Sequence, residues 1–398
     1  MNILFCNDIP FNPVLGGIER VTDVLTKSLL KRGYTIFYLC GHVQDLDMLN
    51  YDFPVKQYTF PENIYIDSNI NKAYYQEFIK KYHIDIVVNQ RGVDSFANFL
   101  LSVDCIKKIT VLHNQPLAYW HATRIGMRNH AYSLWGWVRY FIKLGIYPYL
   151  YYKRKNTWFS ALSHQYDYCM RHSDSFVLLS DRYKRELDKL NIPEDAFCSI
   201  VGVNNPSMQP VQKVDFNEKE KIIAYVGRLS RWDKNPIRLL KVWRKLYKRF
   251  PDWRLQIIGS GLEHDNMLQY VEKYHLPRVC FEGQQSDVSG YYKKISVICL
   301  TSNTEGFSMS LIEGMSFGCV PVAFSNYAAV WDIIDDDING CLVKPFDIKL
   351  YATRLAEIMS NEGKRIDMAR QALEKSKIFD IENIVDKWEA LFKSVYNA

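Results

Sequence analysis

The chain has 398 residues, 48% of them hydrophobic, and a formal net charge of +6. This length supplies enough apolar material for two hydrophobic cores and exceeds a typical single domain. The mild positive charge comes without a nucleic-acid-binding motif or a long basic tail, so it excludes the usual nucleic-acid modules and favours small anionic ligands or an anionic surface.

Targeting and redox features point to the cytoplasm. No segment approaches the roughly 18 uncharged apolar residues of a transmembrane helix. Met1–Phe11 is too short, and too acidic at Asp8, for a signal peptide. The nine cysteines are scattered singly without a Cys-x-x-Cys pair, which predicts reduced, mostly buried thiols and no metal site.

Short apolar segments alternate with longer amphipathic ones, as in a parallel sheet covered by helices on both faces. The predicted strands of the first half are Ile3–Cys6, Thr35–Cys40, Ile84–Asn89, Ile109–Leu112 and Phe176–Ser180. Those of the second half are Ile222–Val226, Leu255–Ile258, Val279–Glu282, Val297–Leu300 and Val320–Phe324. The polar segment Asn204–Lys219, with two prolines, separates the sets and is predicted to be an interdomain linker. The sequence therefore predicts an α/β fold with two doubly wound, Rossmann-like domains and a ligand site in the cleft between them.

Two glutamates of the second half, Glu305 and Glu313, lie eight residues apart across a predicted loop-to-helix junction. Ser308 is the expected N-cap of a helix over Leu311–Phe317, which ends at Gly318. The N–H groups of such a terminus bind anions, and Glu313 lies about one turn, roughly 6 Å, further along the axis. A nucleoside diphosphate fits this spacing, so the two acids could hold two sugars of one ligand. For an isolated pair the alternative is two solvated surface acids.

A glycine pair follows the first predicted strand. Gly16 and Gly17 come after a ten-residue loop and precede a helix. Paired glycines permit positive φ and close approach to a phosphate, although many strand-to-helix turns use glycine for turning alone. The loop differs from the Gly-x-Gly-x-x-Gly motif, and no ribose-binding acid follows the second strand, which disfavours a dinucleotide cofactor.

Cations and a histidine occupy other strand ends. Arg228 and Lys234 flank a turn before a helix that starts at Pro236. They can neutralise a leaving diphosphate where no metal does so, and Arg231 is then a spectator. The alternative is that both are solvated loop cations. His113 can hydrogen-bond a substrate hydroxyl near a reacting carbon, or it is a structural histidine.

Glycine turns at the ends of two further strands of the second half are the remaining candidates. The turns at Gly259 and before Gln284 offer backbone suited to the edge of a nucleobase, or they are plain helix entrances.

These segments, in this order, resemble the retaining GT-B glycosyltransferases of family GT4, the glycosyl transferases group 1. The resemblance covers nearly the whole chain. Its most specific parts are the Glu-x7-Glu segment Glu305–Glu313, the Gly227-Arg228-Leu…Lys234-Asn235 segment and the Gly16-Gly17 helix entrance. It implies a deep cleft between an acceptor-side domain, residues 1–203, and a donor-binding domain, residues 204–379. Residues 380–398, with a predicted helix over Ile381–Tyr396, are implied to cross back to the first domain.

The resemblance also implies a role for each matching residue. Arg228 and Lys234 bind the donor diphosphate, and the backbone of Gly17 approaches its distal phosphate. Glu305 positions the donor sugar rather than attacking it, Glu313 holds the ribose, and His113 lies near the reacting carbon. The predicted catalytic residues are thus His113 and Glu305, and the predicted donor-binding residues are Gly16, Gly17, Arg228, Lys234, Gly259, Gln284, Gly306, Phe307, Ser308, Met309 and Glu313.

The implied function is sugar transfer with retention from a UDP- or GDP-sugar, without a metal or other cofactor. The acceptor would be a saccharide or a polyprenyl-linked glycan in the synthesis of capsule, lipopolysaccharide or exopolysaccharide. One alternative is a nucleotide-sugar 2-epimerase of the same fold, which needs converging acids and histidines that the sequence does not show beyond His113. Another is a noncatalytic nucleotide or carbohydrate binder, which the intact set of charged motif residues disfavours.

Residues 120–159 combine aromatic and basic side chains and contain no acid. This composition suits a membrane interface, where rings lie among headgroups and cations meet anionic lipid. The alternative is a buried helix pair with a basic rim. We hypothesise that this insert contacts the inner face of the cytoplasmic membrane and makes the protein peripheral there.

Overall fold

The computed structural model describes residues 1–13, 16–43, 55–63, 68–104, 106–118, 157–192, 198–202 and 214–398. The chain divides into two compact units, each with its own parallel sheet. Unit 1 comprises Met1–Pro116, His130–Pro206 and Ile381–Ala398, and unit 2 comprises Leu117–Asn129 and Ser207–Asp380. Nearly all of the predicted insert 120–159, and residues 204–213 of the predicted linker, lie outside the described residues.

Unit 1 is built on a seven-stranded parallel sheet in the order β3-β2-β1-β4-β5-β6-β7. The strands are β1 (Asn2–Asn7), β2 (Thr35–Cys40), β3 (Gln57–Thr59), β4 (Ile86–Asn89), β5 (Lys107–Leu112), β6 (Ser175–Leu178) and β7 (Cys198–Ile200). Leu4 of the interior strand β1 is in register with Phe37 on one side and Val87 on the other. The strand order reverses beside β1, so the carboxyl ends of β1 and β4 form a topological switch point.

Helices cover the buried strands of unit 1. They are α1 (Gly17–Lys31), α2 (Asn69–Lys81), α3 (Ser95–Leu101), α4 (residues 157–171) and α5 (Lys184–Leu187). Side-chain caps fix two helix starts, because Ser68 accepts from the Asn71 N–H and Asp94 accepts from the Ala97 N–H.

Unit 2 is built on a six-stranded parallel sheet in the order β10-β9-β8-β11-β12-β13. Its strands are β8 (Glu220–Val226), β9 (Arg254–Ile258), β10 (Val279–Gly283), β11 (Ile295–Leu300), β12 (Val320–Phe324) and β13 (Cys341–Val343). Its helices are α6 (Ile237–Leu246), α7 (His264–Lys273), α8 (Ser289–Lys294), α9 (Met309–Ser316), α10 (Val330–Ile333), α11 (Ile348–Ser360) and α12 (Glu362–Ser376). β11 is buried along its whole length and lies between β8 and β12. The loops after β8 and β11 therefore start side by side.

The last helix, α13 (Ile381–Asn397), belongs to unit 1. Arg32, just after α1, holds it through three carboxylates. The guanidinium lies 2.5 Å from Glu382, 2.5 Å from Asp386 and 2.9 Å from Glu389. The predicted helix Ile381–Tyr396 is thus confirmed, one residue longer.

All ten predicted strands are confirmed, with ends within two residues of the predicted ones. The sequence interpretation missed β3, β7 and β13, because three residues are too few to show a period of two. It also treated all of Asn204–Lys219 as irregular. Phe216–Glu218 forms a 3₁₀ turn instead, capped by Asp215.

Two further expectations concern the thiols and the membrane. Seven cysteines have described side chains; all seven are free thiols, and all but Cys280 are buried. In the part of the chain that the structure describes, every helix is too short or too polar to cross a membrane.

Candidate functional site

Glycines extend the sheet of unit 2 past its carboxyl edge. The Gly227 N–H donates to Ile258 O at 3.0 Å, and the Gly259 N–H donates to Gly283 O at 2.7 Å. Gly259 has φ +139°, and a Cβ at this position would lie 2.0 Å from Gly227 O. Only glycine fits there, so bare backbone lines this edge. The predicted Gln284 follows directly, with its Oε1 accepting from Ser260 Oγ at 2.9 Å.

The first cation of the loop after β8 has a carboxylate partner that the sequence interpretation missed. Arg228 Nη2 lies 2.7 Å from Asp233 Oδ2, and 66% of the Arg228 side chain is exposed. This hydrogen bond raises the pKa of Arg228. Burial alone would raise the pKa of Asp233. The hydrogen bond from Ser230 and the charges of Lys234 and Arg228 outweigh burial, and the pKa of Asp233 is lowered. Arg228 is thus an exposed, permanently charged group that one acid orients.

The second cation contacts the first glutamate of the predicted pair. Lys234 Nζ lies 2.6 Å from Glu305 Oε2. Ser302 Oγ donates to the other carboxylate oxygen, Oε1, also at 2.6 Å. The loops after β8 and β11 therefore place Lys234 and Glu305 in direct contact, although 70 residues separate them in the sequence.

Helix α9 begins right after this contact. Ser308 is its N-cap, as the sequence predicts, but the serine side chain caps no backbone N–H group. Its Oγ lies 3.5 Å from Ser310 Oγ instead. Phe307 packs edge-on against Phe379 with ring centroids 5.6 Å apart, which anchors the backbone that leads into the helix. The positive end of the α9 dipole is thus held beside Glu305.

Glu313 lies in the second turn of α9 and is 2% exposed. Tyr292 Oη, itself from a buried side chain, donates to Glu313 Oε2 at 3.0 Å. The tyrosine fixes the direction of this carboxylate. The sequence interpretation missed this contact of Tyr292 with Glu313. The two residues lie on different helices, α8 and α9, which are separated in the chain by the strand β11.

The glycine pair of unit 1 differs from the expectation in its backbone. Gly16 has φ −174°, which is ordinary extended backbone, and Gly17 is the first residue of α1. A Cβ on Gly16 would lie 2.6 Å from Glu19 Oε2. A side chain at Gly16 would therefore have to displace the tip of Glu19, whereas the backbone conformation does not call for glycine. Glu19 also accepts from Asn7 Nδ2 at 3.1 Å, and burial raises the pKa of this carboxyl.

His113 follows β5 at the carboxyl edge of the unit 1 sheet. Its Nε2 makes a short hydrogen bond with Gln90 Oε1, at the end of the neighbouring β4. An amide oxygen only accepts, so Nε2 carries the proton. Burial lowers the pKa of His113 to about 4, and the ring is therefore neutral, with an acceptor at Nδ1.

One group among the described residues has the composition of a metal site, namely Asp336, Asp337 and Cys341. Arg354 pairs with both carboxylates, at 2.8 and 2.9 Å. Burial raises the pKa of the Cys341 thiol to about 11. Cations and a protonated thiol make this group a poor fit for a metal ion, and it shares no residue with the predicted donor site.

The structure therefore brings most of the predicted catalytic and donor-binding residues together at one edge of unit 2. They are Arg228, Lys234, Gly259, Gln284, Glu305, Gly306, Phe307, Ser308, Met309 and Glu313. Gly16, Gly17 and His113 lie at the carboxyl edge of unit 1.

Residues 209–375 match the model of the family Glycosyl transferases group 1. This finding confirms the predicted resemblance for the part of the chain that contains Arg228, Lys234, Glu305 and Glu313.

Curated relatives match about the same share. An uncharacterized glycosyltransferase of Haemophilus influenzae is 32% identical over 48% of this chain and 55% of its own length. An amylovoran biosynthesis glycosyltransferase, AmsD of Erwinia amylovora, is 32% identical over 44% of this chain and 48% of its own. An α-1,4-N-acetyl-D-galactosaminyltransferase of Campylobacter jejuni, named for a diNAcBac-PP-undecaprenol-linked acceptor, is 32% identical over 46% and 50%. The chain spans about half the length of the curated relatives it matches.

Solved structures match over nearly the whole chain. HepE of Anabaena, crystallised with UDP, has a TM-score of 0.72 at 15% identity and covers 99% of this chain and 100% of its own. Sucrose-phosphate synthase of Thermosynechococcus elongatus has a TM-score of 0.76 at 15% identity, with 100% of both chains covered. At this identity the likeness shows the fold alone, and it confirms the predicted GT-B class.

Proposed function

We propose that this protein is a glycosyltransferase that moves a sugar from a nucleoside-diphosphate sugar to a saccharide or lipid-linked saccharide, with retention of the anomeric configuration. The observation that carries the proposal is the contact of Lys234 with Glu305, 2.6 Å apart beside the start of α9. Lys234 can bind a diphosphate, and Glu305 can accept from sugar hydroxyls. Both lie beside a helix N-terminus, which binds anions.

Each side chain has a role that its surroundings suit. Arg228 and Lys234 neutralise the charge that develops on the leaving diphosphate. Two cations do this without a metal, so we propose a metal-independent reaction. Glu313, directed by Tyr292, accepts from the ribose hydroxyls.

Glu305 acts in this proposal as a positioning group for the donor sugar. Its two oxygens already accept from Lys234 and Ser302, at 2.6 Å each. Such bonds stabilise the anion and weaken it as a nucleophile. The leaving diphosphate is then the base that takes the proton of the acceptor hydroxyl on the same face. The neutral His113 can bond a sugar hydroxyl without bringing a positive charge to the reacting carbon.

The comparisons support a role in surface-polysaccharide synthesis. Relatives named for amylovoran synthesis, for lipopolysaccharide and for an undecaprenol-linked glycan each match nearly half of this chain. The UDP complex of HepE supports UDP as the nucleotide. We therefore propose a UDP-sugar donor and a cytoplasmic enzyme that works at the inner face of the membrane.

Membrane contact rests on the composition of residues 120–159. Flotation with anionic liposomes tests it. We expect charge reversal at Arg139, Lys143 and Lys153 to reduce binding, because the lost attraction is about 1 kcal/mol per cation near an anionic surface. Equal flotation of this variant and the wild-type protein would contradict the contact.

Donor turnover tests the chemistry. The protein is incubated with a panel of UDP- and GDP-sugars in EDTA, and the slow release of free sugar is followed by NMR. We expect sugar release to continue in EDTA. The anomer of the free sugar that appears first should have the configuration of the donor. Release should fall by about 100-fold or more in Glu305→Ala. Glu362→Ala, at a largely exposed glutamate of unit 2, is the control. An epimerised nucleotide sugar, or turnover unchanged in Glu305→Ala, would contradict the proposal.

A further inference from the structure

The side chains proposed to bind the donor come from two loops of unit 2. The loop after β8, residues 227–236, contains Arg228 and Lys234, and the loop after β11, residues 301–308, contains Glu305. The distance between Lys234 and Glu305 therefore depends on how these two loops pack against each other. Buried side chains bond across the two loops. Thr301 Oγ1 donates to Asn235 O at 3.2 Å, and the side chain of Asn303 makes two such bonds.

Asn303 is 1% exposed, and its amide uses both ends. Nδ2 donates to Arg231 O at 3.0 Å and to Trp232 O at 2.7 Å. The backbone N–H of Asn303 donates to Asp233 O at 2.6 Å. Three hydrogen bonds from one residue therefore cross from the loop after β11 to three successive carbonyls of the loop after β8.

A buried arginine fixes the other end of the amide. Arg238 Nη1 donates to Asn303 Oδ1 at 2.6 Å and to Thr301 O at 3.0 Å. Its guanidinium lies 4.3 Å from the ring centroid of Phe346, a cation–π contact that holds it in place. With Oδ1 committed to Arg238, the amide has one orientation, and Nδ2 faces the loop after β8.

We propose that Asn303 is a positioning residue that sets the separation of Lys234 and Glu305, and so matches the donor site to the diphosphate and the sugar of one ligand. The inference rests on the proposed function. Lys234 directly follows Asp233, whose carbonyl Asn303 holds, and Glu305 lies two residues after Asn303. A displacement of Asn303 thus moves both ends of the contact, and a misplacement of about 1 Å can cost about 100-fold in rate.

The chain offers a matched control in Asn326. Its Nδ2 donates to Ser302 O at 3.2 Å and to Asn303 O at 2.7 Å. Both bonds end on the loop after β11. Asn326→Ala therefore removes two amide-to-carbonyl bonds, as many as the side chain of Asn303 makes to the other loop, without removing a bond between the loops.

The informative substitution is Asn303→Asp. It keeps the acceptor for Arg238 but sets a carboxylate oxygen against the carbonyls of Arg231 and Trp232, where two donated bonds are lost. We expect the melting temperature to fall by about 5 °C, because two buried carbonyls lose their donors, and the variant to remain folded at 25 °C. Amide hydrogen exchange of residues 228–235, measured without ligand, should accelerate by about 10-fold, and the Kd for UDP measured by calorimetry should rise by about 10-fold.

Asn326→Ala should change the exchange of residues 301–306 alone and the Kd for UDP by less than about 3-fold. Equal effects of the two variants on the Kd, or unchanged exchange of residues 228–235 in Asn303→Asp, would overturn the inference. A wild-type protein that binds no UDP, GDP or ADP would instead contradict the proposed function, and the exchange data would still decide whether Asn303 couples the loops.

Discussion

Lys234 and Glu305 form an ion pair whose carboxylate side chain is only 5% exposed, whereas the neighbouring pair of Arg228 and Asp233 has a cation that is 66% exposed. Both cations lie on the loop after β8, yet the two pairs differ in burial and so should differ in their contribution to stability. A buried charge that loses its partner is costly, and a surface pair contributes little.

This difference predicts unequal losses of stability. We expect Lys234→Ala to lower the free energy of unfolding by about 2 kcal/mol, because it leaves Glu305 without its cation. Arg228→Ala should lower it by less than about 1 kcal/mol. Urea denaturation of the two variants measures both values. Equal losses would show that the burial of Glu305 is not what distinguishes the pairs.

The glycine edge of unit 2 gives a second prediction. Gly283→Ala places a side chain at φ +69° in open space, which should cost about 1–2 kcal/mol. Gly259→Ala adds a clash with Gly227 O to its backbone strain, so its free energy of unfolding should fall further. Denaturant midpoints that rank the variants in the opposite order would contradict the close approach of the two loops.

The anchoring of α13 by Arg32 predicts a salt effect. The carboxylates of Glu382 and Asp386 are 66% and 67% exposed, so screening by salt should weaken their attraction. We expect Arg32→Ala to speed hydrogen exchange of residues 381–397 at low salt. The difference from the wild-type protein should shrink in 0.5 M NaCl, where the Debye length is only about 4 Å. A difference that does not depend on salt would point to packing instead.

His113 predicts a dependence on pH. Its pKa in the folded chain is about 4, against 6.5 for the free group. The unfolded chain takes up a proton first on acidification, so the stability that His113 contributes is full above about pH 6.5 and is lost as the pH falls towards 4. The melting temperature of His113→Gln should therefore fall less between these values than that of the wild-type protein.

NMR of the imidazole protons checks the cause directly. A His113 ring that titrates between pH 6 and 7 would contradict its neutral state in the folded protein.

The longer strands of both sheets and the motif residues at their carboxyl ends could be predicted, because the patterns that indicate them are local in the sequence. Apolar strands, a glycine turn and a Glu-x7-Glu spacing are all local in sequence. The contact of Lys234 with Glu305 could be expected only as a convergence on one ligand, because its geometry depends on how two separate loops pack.

Arg231 illustrates what could not be predicted. The sequence interpretation treated its side chain as a spectator. Its backbone carbonyl, however, accepts a hydrogen bond from Asn303 Nδ2 at 3.0 Å. Backbone acceptors carry no sequence signal, since every residue has one. The glycine pair of unit 1 could have served positive φ or a plain turn, and the sequence left both open; Gly16 is extended and lies against Glu19.

The central claim is that Arg228, Lys234, Glu305 and Glu313 form a nucleotide-sugar site. A thermal-shift screen against UDP, GDP and ADP and their common sugars tests it most directly. A ligand at 100 times its Kd adds about 2.7 kcal/mol of stability. We predict that one nucleotide series, with UDP expected, raises the melting temperature, and that the rise disappears in the double variant Arg228→Ala/Lys234→Ala. A screen in which no nucleotide shifts the wild-type protein, or in which the double variant shifts equally, would contradict the account.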